Sequence, residues 1–223
     1  SWMNKQQVVV DGASKDGTLQ VVHRYSNQNA IIVSEKDKGI YDAINKGIAL
    51  ATGDVIGLLH SDDFFAHSNV LSEIAEAFED TDLDIVYADA AFFSPGTSDH
   101  IKRRYNSSRF SASQIRNGWM PAHTTMYARR RVFEEYGNYN DEFKIAADFE
   151  FIARTFGSGS IKSRYIPAIW MMMQTGGAST GGFKSKLLLN REVLKACRMN
   201  GIPTSYARLL SKYPEKLLEL IRR

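Results

Sequence analysis

The sequence predicts an α/β fold, a mainly parallel central sheet with flanking helices, and three observations carry that prediction. Short apolar strands alternate with amphipathic helices through about residue 90. Acidic residues gather directly after those strands, at Asp11, Asp16, Asp62 and Asp63. The 223 residues, 43% hydrophobic and 24% charged, suit one folded domain with an appendage. In chain order, residues 7–10 form a strand ended by Asp11-Gly12, and Leu19, Val22 and Tyr25 give residues 18–25 helical spacing. Residues 30–33 form a second strand. Ile40, Ala43, Ile44, Gly47, Ile48 and Ala51 then mark one face of a helix that Gly53 ends. Residues 54–59 form a third strand closing on His60-Ser61-Asp62-Asp63, followed by a helix over 70–78, capped by Ser68 or Asn69, and a strand over 84–88. Beyond residue 90, strands at 92–94, 101–105, 124–128 and 163–166 alternate with helices at 112–117, 131–136 and 147–156. Two helices at 183–199 and 204–221, separated by Gly201-Ile202-Pro203, complete the chain.

Composition removes several classes of protein. Nothing here reads as disordered, collagenous or repetitive. Cys197 is the single cysteine, so an intrachain disulfide and a cysteine-based zinc cluster are excluded, and a reducing compartment fits. The longest apolar stretch, residues 166–173, falls far below the ~20 residues a transmembrane helix needs. The first ten residues lack the apolar core of a signal peptide, which points to the cytoplasm. The formal charge of +3 gives no argument for nucleic acid as a partner. Its distribution is uneven, because residues 184–223 hold 10 basic and 3 acidic side chains.

Taken alone, the chemistry-bearing residues admit two readings each. Asp62-Asp63 at a strand end either holds a hard divalent cation or makes a turn and helix cap. Residues 11–18, Asp-Gly-Ala-Ser-Lys-Asp-Gly-Thr, either bring carboxylates and close-approaching backbone to a base or ribose, or cap a helix through Ser14 or Asp16. The stretch is not a Gly-rich phosphate loop ending in Lys-Ser/Thr.

Three ordered runs narrow the choice: residues 8–18, Ser34-Glu-Lys-Asp-Lys-Gly-Ile-Tyr-Asp-Ala-Ile-Asn-Lys-Gly, and Ala51-Thr-Gly-Asp-Val-Ile-Gly-Leu-Leu-His-Ser-Asp-Asp. Together they resemble the nucleotide-binding half of family 2 glycosyltransferases with the GT-A fold. The resemblance continues through residues 121–133, 137–143, Ala146-Ala-Asp-Phe-Glu-Phe-Ile-Ala-Arg and 176–180, and is closest to bacterial enzymes of exopolysaccharide and O-antigen synthesis. It implies an inverting transfer from a nucleotide-diphosphate sugar to a saccharide or lipid-linked acceptor, with Mn2+ or Mg2+ as cofactor. The nucleoside is UDP by default, with GDP and dTDP also used in the family. The domain divides accordingly into a nucleotide-binding half at 1–90 and an acceptor-side half at 91–182, with a basic helical extension at 183–223.

By the same resemblance Asp11 contacts the nucleobase, Asp16 lies near that pocket, and Asp37 to Gly39 line the nucleotide side of the cleft. Asp62 and Asp63 match the family's acidic metal motif. That motif often begins with aspartate where this chain has His60, so either carboxylate could touch the metal; the assignment made is Asp63 on the metal and Asp62 nearer the ribose or donor sugar. Asp148 matches the catalytic base, with Phe149, Ile152 and Phe156 on the buried side of its helix and Glu150 on the outer face. His123 is a candidate acceptor or diphosphate contact on a strand, or else a structural histidine. Of Arg129, Arg130 and Arg131, at most one turns inward from a solvated helix start. The four glycines of residues 174–182 form either a closing flap or a connector. The C-terminal helices either meet an anionic membrane face or pack on their own domain or on a second copy, as in a homodimer.

Family members begin with an earlier strand and helix, so the sheet is expected to lack that first strand-helix unit and part of the donor pocket. The alternative this raises is a truncated, non-catalytic sugar-nucleotide-binding or assembly module.

Overall fold

Strand and helix alternate in the structure as the periodicity predicts. The structure, a computed structural model, describes residues 4–97, 100–175 and 183–210. Its elements are β1 (Val8–Asp11), α1 (Thr18–Tyr25), β2 (Ile31–Ser34), α2 (Ile40–Leu50), β3 (Val55–Gly57), β4 (Phe64–Phe65), α3 (Val70–Ala77), β5 (Ile85–Phe93), β6 (Ile101–Tyr105), β7 (Tyr127–Arg129), α4 (Arg130–Tyr136), α5 (Ala147–Gly157), β8 (Ser163–Gln174) and α6 (Phe183–Met199). Short 3₁₀ turns at Ala112–Asn117 and His123–Thr125 lie between β6 and β7.

β1 and β2 form a parallel pair of their own, with Val8 opposite Ile31 and Asp11 opposite Ser34. The other six strands form one sheet in the order β3-β7-β5-β8-β4, with β6 added to β5. β5 and β8 run parallel, whereas β3–β7, β4–β8, β5–β6 and β5–β7 are antiparallel. The α/β class stands, and the sheet is mixed: parallel neighbours need a long crossover, while β6 returns beside β5 after a short loop.

The main core lies between the sheet and α5. Phe149, Phe151, Ile152 and Phe156 pack with Ile85 and Tyr87 of β5 and with Val193, Leu194, Ala196 and Cys197 of α6. The basic helix α6 is thus built into this core, and Leu209 joins the same cluster. The rest of the helix expected over 204–221 and most of the glycine segment, residues 176–182, lie outside the described residues. On the other face, Val70, Ile74 and Ala77 of α3 cover Val86, Ala88 and Trp170, whose indole N–H donates to Glu73 at 2.8 Å. No helix among the described residues is long and apolar enough to cross a membrane.

Two sequence expectations are corrected here. Arg129 donates to the carbonyls of Phe78, Asp80 and Leu83, and Arg130 to those of Ala51 and Gly53. Both therefore turn inward, because the carbonyls of the turns that follow α3 and α2 need donors and a guanidinium carries enough to satisfy several. Arg131, more exposed, pairs with Asp84 at 2.8 Å. Glu150 is buried at 2% exposure rather than on the outer face of α5. Arg154, one turn on, donates to both of its oxygens at 3.0 Å, and Asn200 also donates to Oε1, so the carboxylate enters the core paired.

Candidate active site

The β1–β2 pair delivers the first cluster to the carboxyl ends of its strands. Asp11 closes β1, and its buried carboxylate accepts from the Ser14 N–H at 3.0 Å, the Ser14 hydroxyl and the Ser34 hydroxyl at 2.6 Å. Those hydrogen bonds, the Ser14 hydroxyl foremost, hold its pKa below the usual carboxylate range. Asp37 folds back onto Gly12, where a Cβ would stand 2.7 Å from its Oδ2, so the glycine is required for that approach. Gly39, at φ 143°, then turns the chain into α2, and its N–H donates to Asp37 at 3.0 Å. Asp16 stays exposed and accepts from the N–H and hydroxyl of Thr18, the first residue of α1. Asp11, Asp37 and Gly39 thus share one loop cluster, while the Asp16 carboxylate serves the start of α1.

The second cluster forms where β3, α2 and α5 converge. His60, Asp62 and Asp63 follow β3, with Asp62 exposed and Asp63 half-buried. Burial and the neighbouring Asp62 charge push Asp63 up to about 7, and its Oδ2 is buried with no hydrogen-bond partner. His123 begins the 3₁₀ turn at His123–Thr125 rather than lying on a strand, and its Nε2 meets the Tyr139 hydroxyl at 2.8 Å. Burial, with His60 nearby, pushes its imidazole down to about 3, so the ring is neutral at physiological pH. Burial also lowers His60. Asp148 sits in the first turn of α5, where burial pushes it up to about 6 against the counter-pull of its hydrogen bonds. Its Oδ1 accepts from the Phe149 N–H at 2.7 Å and lies 3.5 Å from the Tyr41 hydroxyl of α2.

Several residues here escaped the sequence reading. Tyr41 donates to the Ile145 carbonyl at 2.6 Å, and Asn45 clasps both backbone groups of Tyr139 at 2.7 and 3.0 Å. Both stand one helical turn apart on α2, a spacing that could have marked them as one contact face. Glu192 of α6 accepts from the N–H groups of residues 144–146, each at 2.9 Å. It is the one acid in residues 184–210, a usable signal in so basic a stretch. Asp89, fully buried in β5, is met by Arg104 at 2.6 Å, Ser107 N–H at 2.7 Å and the Tyr165 hydroxyl at 3.1 Å. Its place inside an apolar strand could have marked it.

The arrangement offers an acidic loop cluster, a carboxylate with an orphaned oxygen, and a second carboxylate pushed up to about 6. That combination suits displacement at a phosphorylated carbon, with one group to hold charge and one to accept a proton. Among the described residues no group of three or more His, Cys, Asp or Glu forms a metal-binding set.

Comparison with known proteins identifies the family and the fold. Residues 1–137 match the family described as Glycosyl transferase family 2. The chain is 27% identical over 197 residues to a PGL/p-HBAD biosynthesis glycosyltransferase of Mycobacterium bovis, covering 86% of this chain and 72% of that one. It is 30% identical over 150 residues to an uncharacterized glycosyltransferase of Mycobacterium tuberculosis, covering 67% of this chain and 56% of that one. Among solved structures it is similar to S. aureus TarS in complex with UDP-GlcNAc, at TM-score 0.65 and 18% identity over 85% of this chain. It is also similar to the mannosyltransferase PcManGT from Pyrobaculum calidifontis in complex with GDP-Man and Mn2+, at TM-score 0.61 and 16% identity over 90% of this chain. The chain spans 56% of each of these two structures. The fold is that of the GT-A glycosyltransferases.

Proposed function

This chain belongs to glycosyl transferase family 2, and from that membership we propose that it transfers a sugar from a nucleotide-diphosphate sugar to an acceptor hydroxyl, with inversion, in the making of a cell-surface polysaccharide. The observation that carries the proposal is Asp148, a carboxylate in the first turn of α5 whose burial pushes it up to about 6. A base must be ionised at working pH yet basic enough to take a proton, and a pKa just below neutrality meets both demands. Asp148 accepts the acceptor's hydroxyl proton as that oxygen forms its bond to the anomeric carbon. The bond from that carbon to the diphosphate oxygen breaks on the opposite side, and the nucleoside diphosphate leaves.

Asp63 and Asp62 fit a divalent cation, Mn2+ or Mg2+, because Asp63 holds a buried oxygen without a partner and the pair concentrates negative charge. When bound there, the cation supplies charge neutralisation on the departing diphosphate. Asp11, Asp37 and Gly39 form the nucleotide side, with the Asp11 carboxylate held rigid by two serine hydroxyls. Asp16 stands beside that loop. Neutral His123, held by the Tyr139 hydroxyl, is the candidate contact to the acceptor or the diphosphate and adds no charge there. The acceptor is a saccharide or a lipid-linked saccharide. The two solved neighbours carry UDP-GlcNAc and GDP-Man, and both nucleosides belong in the test.

Calorimetric titration with UDP, GDP and dTDP, each with and without Mn2+, is expected to show metal-dependent binding of one of them. Asp148→Asn is then expected to retain that binding and lose transfer. Binding of none of the three would overturn the donor-site reading, and loss of binding and transfer together in Asp148→Asn would overturn the base assignment.

A further inference from the structure

We propose that Glu192 of α6 is a positioning residue for Asp148, holding the segment that leads into α5 so that the base faces the reaction centre. The inference rests on the reading of Asp148 as the base. Three consecutive backbone N–H groups donate to the Glu192 carboxylate, Lys144 to one oxygen and Ile145 and Ala146 to the other, each at 2.9 Å. These are charge-assisted bonds at the start of a helix, where a negative group also meets the favourable end of the helix dipole. Lys144 and Ile145 precede α5 and Ala146 is its N-cap, a residue with no capping side chain, so none of these N–H groups has an intrahelical acceptor. Within the first turn Asp148 accepts from the Phe149 N–H, and Glu192 anchors the approach to that turn from another helix.

The clamp is two-sided. The Ile145 N–H is held by Glu192 while its carbonyl accepts from Tyr41 at 2.6 Å, so the peptides on both sides of this residue are fixed, one to α6 and the other to α2. Asp148 lies three residues further on, and the Tyr41 hydroxyl reaches both points. Glu192 is only 8% exposed and sits one residue from Val193, which packs in the main core. Its carboxylate therefore cannot move away without shifting α6. A misplacement of about 1 Å at a reacting group can cost on the order of 100-fold in rate, so an anchor this close acts on chemistry and not on fold alone. The charged and titratable groups facing Asp148 are Tyr41 from α2, Tyr139 from the preceding segment and Glu192 from α6. The Glu192 charge contributes to the raised pKa of Asp148, so removing it moves that pKa down. Through Glu192, α6 thereby positions the base.

The test uses the whole chain carrying Glu192→Gln, with Arg198→Ala as the control. Arg198 lies on the same helix with an exposed side chain, six residues beyond Glu192. Glu192→Gln is expected to lower the rate of nucleoside diphosphate release by about tenfold or more while leaving the KM for the nucleotide sugar within about twofold. Its acid limb is expected to move to lower pH. Hydrogen exchange of residues 144–148 is expected to rise about tenfold without any ligand, while residues 85–93 keep their protection. Arg198→Ala is expected to match the wild type throughout. Glu192→Gln with unchanged turnover and pH profile, in a protein where Asp148→Asn is inactive, would overturn the positioning role and leave the base assignment standing. Unchanged exchange at 144–148 would overturn it even without a turnover assay. Inactivity of the wild type would count against the reading of the site instead.

Discussion

Asp148, Asp63 and His123 are all held in a cleft that disfavours their charged forms, and the consequences for pH differ in sign. The two carboxylates are pushed up to about 6 and about 7. Relative to an unfolded chain they favour the fold at low pH, and that contribution is lost as pH rises through those values. His123, pushed down to about 3, works the other way: its contribution is present above the unfolded value near 6.5 and is lost as pH falls. Asp148→Asn imitates the protonated acid and so isolates one of these effects. A shift of about two units, discounted for partial solvent contact, corresponds to about 2 kcal/mol. Asp148→Asn is expected to raise the melting temperature by about 5 °C at pH 8 and to give no gain at pH 4. Thermal melts at the two pH values decide it, and an equal or larger gain at pH 4 would contradict the assignment of burial as the cause. Activity of the wild type is expected to rise with pH through about 6, as Asp148 ionises. At this scale the sequence named the carboxylates because each stands directly after a strand or at a helix start. Their supports carried weaker signals. The spacing of Tyr41 and Asn45 and the isolation of Glu192 mark them as contacts, but their partners at Asp148 and its approach lie up to 107 residues away, and no local pattern encodes that pairing.

Elements with strong periodicity were legible: α2 and α5 lie within a residue or two of the bounds their apolar spacing predicts. Strands were cut short wherever a polar residue or a proline interrupted them. Pro167 suggests an end at residue 166, yet β8 continues to Gln174, because the register with β5 shifts between Tyr87 and Asp89 and the proline falls in that irregularity. Likewise β5 continues through Asp89, which Arg104, Ser107 and Tyr165 satisfy inside the sheet. Gly57 shows how tightly the strand ahead of the acidic pair is fitted. It stands opposite Tyr127 in the β3–β7 pair, and a Cβ built there would overlap the tyrosine ring. The ring belongs to the cluster under α3 and makes an edge-to-face contact with Trp170, so it cannot rotate into free space. Gly57→Ala is therefore expected to destabilise the protein by about 1–3 kcal/mol, read by urea unfolding. Because β3 leads into His60 and Asp63, it is also expected to weaken metal-dependent nucleotide binding, whereas an exposed control such as Lys162→Ala is expected to change neither.

Across the whole molecule, packing is distributed unevenly. Fully buried side chains come from β5, β8, α3, α4, α5 and α6, whereas α1 buries none and leaves Val21 and Tyr25 at 57% and 72% exposure. β1 and β2 pair only with each other, and their valines and isoleucines are half-buried. Their tie to the rest runs through α2, where Gly47 lets Val10 approach, and through Gln6, which bonds the backbone of Leu50 and Thr52. The candidate nucleotide loops therefore stand on the least buried part of the described chain, while the candidate base stands on the most buried. Local opening follows burial and backbone pairing, so residues 8–34 are expected to exchange their amides at least about tenfold faster than residues 85–93 and 147–157. A ligand that bridges the loop cluster and Asp63 would bind only the closed arrangement, and by mass action would slow that opening. With Mn2+ and the nucleotide that binds, exchange in residues 8–39 is expected to fall by a factor that grows with nucleotide concentration, with little change in α5. Equal protection of the two regions in the free protein would show that the sparse packing of α1 has no energetic consequence. Protection that fails to respond to a nucleotide bound in solution would place that nucleotide away from Asp11, Asp37 and Gly39.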